Sequence, residues 1–430
     1  MSQDYYILKT LNMEEDNIHF YDEFVKEEII DGKRSLVYQA YLTYIPEYCP
    51  KCGVVYDENF EKHGFKNSLI KIPAVSKLNS YLSLRKQRYI CHHCNRTFTC
   101  STSIVDYGCN ISNNTKHSIA IDLTKKISQK DIAIYNNVSS NSVERVIDSY
   151  YDLDNKVYKS MLPTALSFDE FKSVKSADGN MSFNMCNAKT GKIIDIVEDR
   201  RLNNLIRYFA RYSRQSRLNV KHIVIDMYTP YISLIKMMFP NALIVIDKFH
   251  LIQLISKSLN KTRIKLMKKD KVNYNKLKRY WKNILKSRLE LDSSKWRKYT
   301  CFKDLTTELD IVNYLVSLDK ELEGTYHVYQ DLLYAFQNDN LTVLEETINT
   351  KYNNISEYMN TSIKTIKEYT NYIKNTFITK YHNGYVEGNN NFIKVLKRIA
   401  FGFRSFLRFK ARIMICKGLI NPKLKEAEIL

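Results

Sequence analysis

The sequence predicts an α/β chain in which a mixed-sheet core is interrupted by a long all-α insertion, with two small modules ahead of it. Three observations predict this. Two β-branched runs, HIVID and ALIVID, flank a helix-spaced segment between Lys221 and His250. Two CxxC pairs stand near the N-terminus, and residues 251 to about 380 carry apolar side chains at helical spacing with no convincing strand.

Residues 1–110 form the first module. Up to about residue 48 the text is mixed, with a strand at Leu36 to Ile45. Cys49-Pro-Lys-Cys52-Gly and Cys91-His-His-Cys94-Asn then present two thiolates each from a tight turn, which together complete a tetrahedral Zn2+ site. Strand-like residues Tyr81 to Ile90 lead into the second pair. His92 and His93 rank below the cysteines as ligands, and Cys100 and Cys109 read as small core residues. This is a zinc-ribbon region.

Residues 111–160 read as a helix-turn-helix. A helix covers Thr115 to Ile127. Ser128 with Asp131 three residues later makes a capping-box variant before Ile132 and Ala133. After the turn Asn136 to Ser139, a second helix starts near Ser140. Its leading residues Ser140, Asn141, Ser142 and Arg145 would face the major groove of double-stranded DNA.

Residues 161–250 carry the first part of the core. ALSFDEF (Ala165 to Phe171) is an apolar strand bearing Asp169 and Glu170, and MSFNMCNAKTGKIIDIVEDRR reads as a hairpin turning near Gly191. A helix from about Asn203 to Tyr212 precedes the β-α-β unit. Three antiparallel strands, a helix, a strand, a helix and a strand describe a ribonuclease-H-like core. The last two strands deliver Asp226 and Asp247 to the carboxyl edge, where ligands sit in open α/β sheets. On residues alone, either aspartate suits the site.

Residues 251–380 form the helical insertion, with Leu277, Trp281, Ile284 and Leu285, then Ile311, Leu315, Leu318 and Leu322, then Ile355, Met359, Ile363 and Ile366 in phase. Residues 381–430 return to the core as its C-terminal helix. There Glu387, Asn391, Lys394 and Arg398 share one face, while Phe392, Leu396 and Ile399 point toward packing.

The chain's net charge is +20 and its pI near 9.3, which favours a polyanionic partner such as nucleic acid. No apolar run approaches the roughly 20 residues of a membrane span, and the N-terminus lacks a signal pattern, so a cytoplasmic protein without a membrane partner is expected. Nine cysteines, four of them in CxxC pairs, suit metal binding in a reducing compartment. Phosphodiester chemistry with two divalent ions needs clustered hard oxygen ligands, and Asp169, Asp226 and Glu387 are placed to supply them.

At this point the chain resembles the DDE transposases of bacterial insertion sequences, most closely the ISL-three family. The resemblance rests on CPKCG with CHHCNRTF, SFDEF, VIDMYTPY, FPNALIVIDKFH, the RYW segment at Arg279 to Trp281, and GYVEGNNNFIKVLKRIAFGFRSF. It implies that Asp169, Asp226 and Glu387 are the catalytic triad holding Mg2+ or Mn2+ as a two-ion site, and it favours Asp226 over Asp247. It also implies that Asp247 and His250 form an accessory motif near the metals.

The expected activity is binding of terminal inverted repeats through zinc ribbon and helix-turn-helix, followed by metal-dependent DNA cleavage and strand transfer into target DNA. Lys394, Lys397, Arg398 and Arg404, with Asn391, would contact DNA. A homodimer or higher oligomer on nucleoid DNA is expected. The alternatives are a catalytically silent DNA-binding regulator derived from such an enzyme, or a structure-selective nuclease of the same fold.

Overall fold

The computed structural model describes residues 3–151 and 160–422. The chain divides into two compact units, Met1–Asn155 with Ile393–Leu430, and Lys156–Phe392. No helix among the described residues is long and apolar enough to cross a membrane.

The first unit opens with α1 (Gln3–Thr10) and a five-stranded sheet of β1 (Ile18–Ile30), β2 (Lys33–Leu42), β3 (Phe60–Val75), β4 (Leu78–Cys91) and β5 (Arg96–Thr99). The order is β1-β2-β4-β3 with β5 on β4, and only the β2–β4 pair is parallel. The β1–β2 turn is Asp31-Gly32, both at positive φ, the arrangement whose twist matches the flanking strands. The strand read at Leu36 to Ile45 begins earlier, at Lys33, and the one read at Tyr81 to Ile90 lies within β4. Residues 1–48, without a legible role in the sequence, supply a helix and two strands.

Three short helices follow, α2 (Asn113–Asp122), α3 (Gln129–Tyr135) and α4 (Ser140–Tyr150), capped by Ser112, Ser128 and Ser139. Ser128 and Asp131 make the reciprocal capping box that the sequence shows. α2 is shorter than the helix read over Thr115 to Ile127. Asn137 takes positive φ to end α3, a conformation asparagine tolerates.

Ile119, Ile132, Val143 and Ile147 pack together with Ala411 and Ile415 of the C-terminal helix Phe406–Cys416. The expected return of 381–430 to the core thus falls on both units, with Ile393–Leu430 grouped in the first. The C-terminal helix buries its apolar face among α2–α4, and its buried Arg412 donates to the carbonyls of Leu123, Lys125 and Ile127, which follow α2. Arg408 pairs with Glu144 and Asp148 on α4. Residues 152–159, at the expected boundary near 160, and residues 423–430 lie outside the described residues.

The second unit is built on β6 (Ala165–Lys172), β7 (Met181–Asn187), β8 (Ile193–Val197), β9 (His222–Ile225) and β10 (Leu243–Ile246). The order is β10-β9-β6-β7-β8. β7 is antiparallel to β6 and β8, whereas β6, β9 and β10 are parallel. Helices α5 (Leu202–Phe209), α6 (Arg214–Leu218) and α7 (Thr229–Met238) link the strands. Leu166, Phe168, Phe183, Ile223, Ile225 and Ile246 join Phe209, Tyr231 and Leu234 in one large core. Because side chains alternate along a strand, Ala165, Val224 and Val245 line the opposite face, against half-buried Tyr381.

The insertion is helical as read: α8 (Lys248–Lys269), α9 (Tyr274–Arg279), α10 (Trp281–Ile284), α11 (Glu308–Val316), α12 (Lys320–Gln337), α13 (Leu341–Asn349) and α14 (Glu357–Ile378). One short ladder, Arg297–Lys298 with Leu305–Thr306, departs from the all-α expectation. α14 covers the free edge of β10. Thr376 Oγ1 accepts from the Ile246 amide at 3.0 Å and donates to its carbonyl at 2.8 Å, and Asn375 donates to the Ile244 carbonyl. A sheet edge that would otherwise offer unpaired backbone groups is thereby closed. α15 (Gly384–Ile399) follows.

Candidate active site and metal centres

Asp169 lies on β6, on the sheet face that carries Ala165 and Ser167 rather than the Phe168 core. Asp226 directly follows β9 and, by the same alternation, shares that face with Val224. Glu170, the neighbour of Asp169, turns to the other side, where it pairs with Arg200 and accepts from Tyr231 Oη at 3.0 Å. The strand alternation thus separates two adjacent acids into one engaged in a core ion pair and one facing the site.

Asp247 is the N-cap residue of α8, yet its side chain does not cap the helix. Its Oδ1 accepts instead from the Asn383 amide at 3.0 Å, just ahead of α15. One turn along α8, His250 Nε2 stands 2.9 Å from Asp226 Oδ1, a close approach that leaves this oxygen without a well-aligned hydrogen bond. Ligand atoms of Asp247, His250 and Glu387 all lie within 4.8 Å of one another. Asp169 and Asp226 stand outside that tight group and are tied to it through His250 and through their charges.

The electrostatics are those of crowded anions. Burial, reinforced by the charge of Asp226, pushes the Asp169 carboxyl up to about 7, even though the Glu170 amide donates to it at 2.7 Å. Burial followed by Asp247 raises Glu387, and Asp226 adds to that rise. Asp247 is raised mainly by burial. His250 is raised despite its burial, because Asp226, Asp247 and Asp169 surround it. Protonated, it is the cation that balances the cluster. Asp247 Oδ2 and Asn383 Oδ1 are buried with no hydrogen-bond partner among the described residues. Hard oxygen donors, mutual repulsion and orphaned acceptors fit a divalent cation.

Cys49, Cys52, Cys91 and Cys94 converge in the first unit, all within 4.8 Å. Cys49 and Cys94 sulfurs are 3.9 Å apart, and Cys52 and Cys91 sulfurs 3.8 Å. A tetrahedral ion with bonds of about 2.3 Å to sulfur requires edges of about 3.8 Å, so the set fits zinc. Each turn needs a left-handed residue after its second cysteine. Gly53 supplies it in the first and Asn95, at φ 53°, in the second. Burial opposes ionisation of Cys49, but the Lys51 and Cys52 amides hold its thiol down at about 7. His92 and His93 are engaged elsewhere, near Glu61 at 3.3 Å and Asp57 at 2.7 Å.

A family model described as a transposase, of the DDE ISL3 type, matches residues 166–413, more than half of the chain. The chain belongs to the ISL3 family of DDE transposases. A second model, described as a zinc-finger of the IS204/IS1001/IS1096/IS1165 transposases, matches residues 45–94 and contains all four clustered cysteines. Among curated proteins, an "ATP-dependent protease" from Lactococcus lactis subsp. lactis is 44% identical over 114 residues. That stretch is 26% of this chain, which spans only about a third (36%) of that relative's length.

In this chain Ser140, Asn141 and Arg145 are exposed on α4, with Ser142 half-buried beside them. Asn391, Lys394, Arg398 and Arg404 are exposed and Lys397 is half-buried. Sequence reasoning missed the asparagines that organise the acids. Asn390 Nδ2 donates to Asp169 Oδ2 at 2.6 Å, while its Oδ1 accepts from Asn184 Nδ2 at 3.0 Å. Asn389 donates to the Gly191 carbonyl at 2.8 Å. The signal was present as the run Asn389-Asn390-Asn391, since three poor helix formers inside a helix need a polar reason. The outward member, Asn391, was singled out instead of the two buried ones.

Proposed function

We propose that this transposase binds the terminal inverted repeats of an insertion sequence and carries out metal-dependent cleavage and strand transfer of DNA on a ribonuclease-H-like core. One observation carries the reading. The charge of Asp226, at the end of β9, adds to the burial that raises the proton affinity of both Asp169 on β6 and Glu387 on α15, acids far apart in sequence. Asp169, Asp226 and Glu387 would hold the Mg2+ or Mn2+ pair, with Asp247 and His250 beside it. Bound there, the ions supply Lewis-acid polarisation of the phosphoryl oxygens and a more acidic attacking water or 3′-hydroxyl.

The chain's own groups prepare that site. Asn390 fixes one oxygen of Asp169, and the Asn383 amide fixes one oxygen of Asp247. A proton on His250 Nε2 would stand against Asp226 Oδ1, 2.9 Å away, and offset part of the cluster's negative charge. Zinc held by Cys49, Cys52, Cys91 and Cys94 would order the N-terminal sheet. α3, its turn and α4 would set Ser140, Asn141 and Arg145 in the major groove. Asn391, Lys394, Lys397, Arg398 and Arg404 would contact the DNA, whose two ends call for a dimer or larger assembly.

The test uses a labelled duplex carrying the terminal repeat that flanks the gene. Wild type nicks the repeat end and joins it to target DNA in Mg2+, while Asp226→Ala still binds the duplex and gives no product. Cleavage without any joined product would instead favour a structure-selective nuclease.

A further inference from the structure

α15 ends in a way that stability alone would not choose. The residue that leaves a helix in the left-handed conformation is usually glycine, because a side chain there meets the backbone. Here that residue is Phe401, at φ 53°, its amide bonded to the Arg398 carbonyl, while the glycine stands one place later as Gly402 at φ 106°. Phe401 is also 96% exposed, so its ring gains nothing from burial. A bulky aromatic is held strained and in water, with exposed Arg398 before it and exposed Arg404 after it. Buried Phe409, against which Phe403 packs, anchors the far side of the same loop at a ring separation of 4.9 Å.

We propose that Phe401 is a stacking platform for a DNA base displaced from the double helix. The inference rests on the transposase reading above and deepens it. Flanking guanidinium groups suit the phosphates on either side of an extruded nucleotide, and an aromatic face accepts any of the four bases. A left-handed backbone at a helix end directs the Cα–Cβ bond of Phe401 outward, so the ring is presented to solvent with no change of backbone needed at binding. Local strain at a site of this kind is an observation from which function is argued, not a defect.

The experiment compares two probes, a fully paired duplex and the same duplex with one bulged base, using the full-length protein. Wild type binds the bulged probe roughly tenfold more tightly than the paired one. Phe401→Gly loses that preference while its melting temperature stays level or rises by a few degrees, because glycine relieves the left-handed strain. Phe401→Trp keeps the preference, and its emission is quenched by the bulged probe beyond the wild-type change. Asp226→Ala keeps the preference too, so failure of cleavage and failure of stacking are read separately. Three results overturn the inference: no bulge preference in wild type, an unchanged preference in Phe401→Gly, or a fall in its melting temperature. A change of oligomeric state in Phe401→Ala with the preference intact would also overturn it, placing Phe401 in a contact between copies.

Discussion

Replacing Asp169 by asparagine should make the metal-free protein more stable at alkaline pH and less stable at acid pH. The Asp169 carboxyl rises from 3.8 to about 7 on folding. A rise of that size corresponds to about 4 kcal/mol, an upper bound for a group only partly withdrawn from water. The folded pKa is the higher one, so the stabilisation is complete below the unfolded value and is lost as pH rises through about 7.

Asparagine removes this titration but turns its amide toward Asn390 Nδ2, which cannot flip without breaking its bond from Asn184. That mismatch costs about 1 kcal/mol at every pH. The variant should therefore melt a few degrees below wild type at about pH 3.5, draw level at about pH 4.5, and melt roughly 5–10 °C above it at about pH 8.5 without added Mg2+. Added Mg2+ should raise the wild-type melting temperature at pH 8.5 and leave the variant unchanged. Calorimetric scans across this range decide the matter. Parallel stability curves for the two proteins would refute the idea that Asp169 is held as a strained carboxyl awaiting a cation.

Elemental analysis should find one zinc per chain, and Cys91→Ser should lose it together with the strand signal of the N-terminal sheet, since binding energy at such sites is folding energy. Arg412→Ala should cost about 3 kcal/mol in urea unfolding of the first unit, because the carbonyls of Leu123, Lys125 and Ile127 lose their donor. An unchanged midpoint would show that water replaces the guanidinium. Gly191→Ala should destabilise by about 1–2 kcal/mol. Its φ of 71° suits glycine, and an added Cβ would stand 2.8 Å from Tyr385 Cδ1.

The core strands are legible because buried parallel strands write themselves as unbroken β-branched runs, as in β9 and β10. The cysteine pairs and the Ser128 capping box were legible because their spacing is the chemistry. The destination of the C-terminal helix was not, since its apolar positions specify burial without naming a partner. Which of Asp169 and Glu170 faces the site also depended on register with β7 and β9, a long-range property. Asn95 could not be read as a glycine substitute before its φ was known. The roles of Asn383 and Asn390 depend on contacts with residues more than one hundred positions away.

Crystals soaked in Mn2+ and measured at its absorption edge test the central claim most directly. The account predicts anomalous density coordinated by carboxylate oxygens of Asp169, Asp226 and Glu387, with His250 Nε2 moved off Asp226 Oδ1. Density held by Asp247, His250 and Glu387 alone, with Asp169 and Asp226 still metal-free, would contradict it.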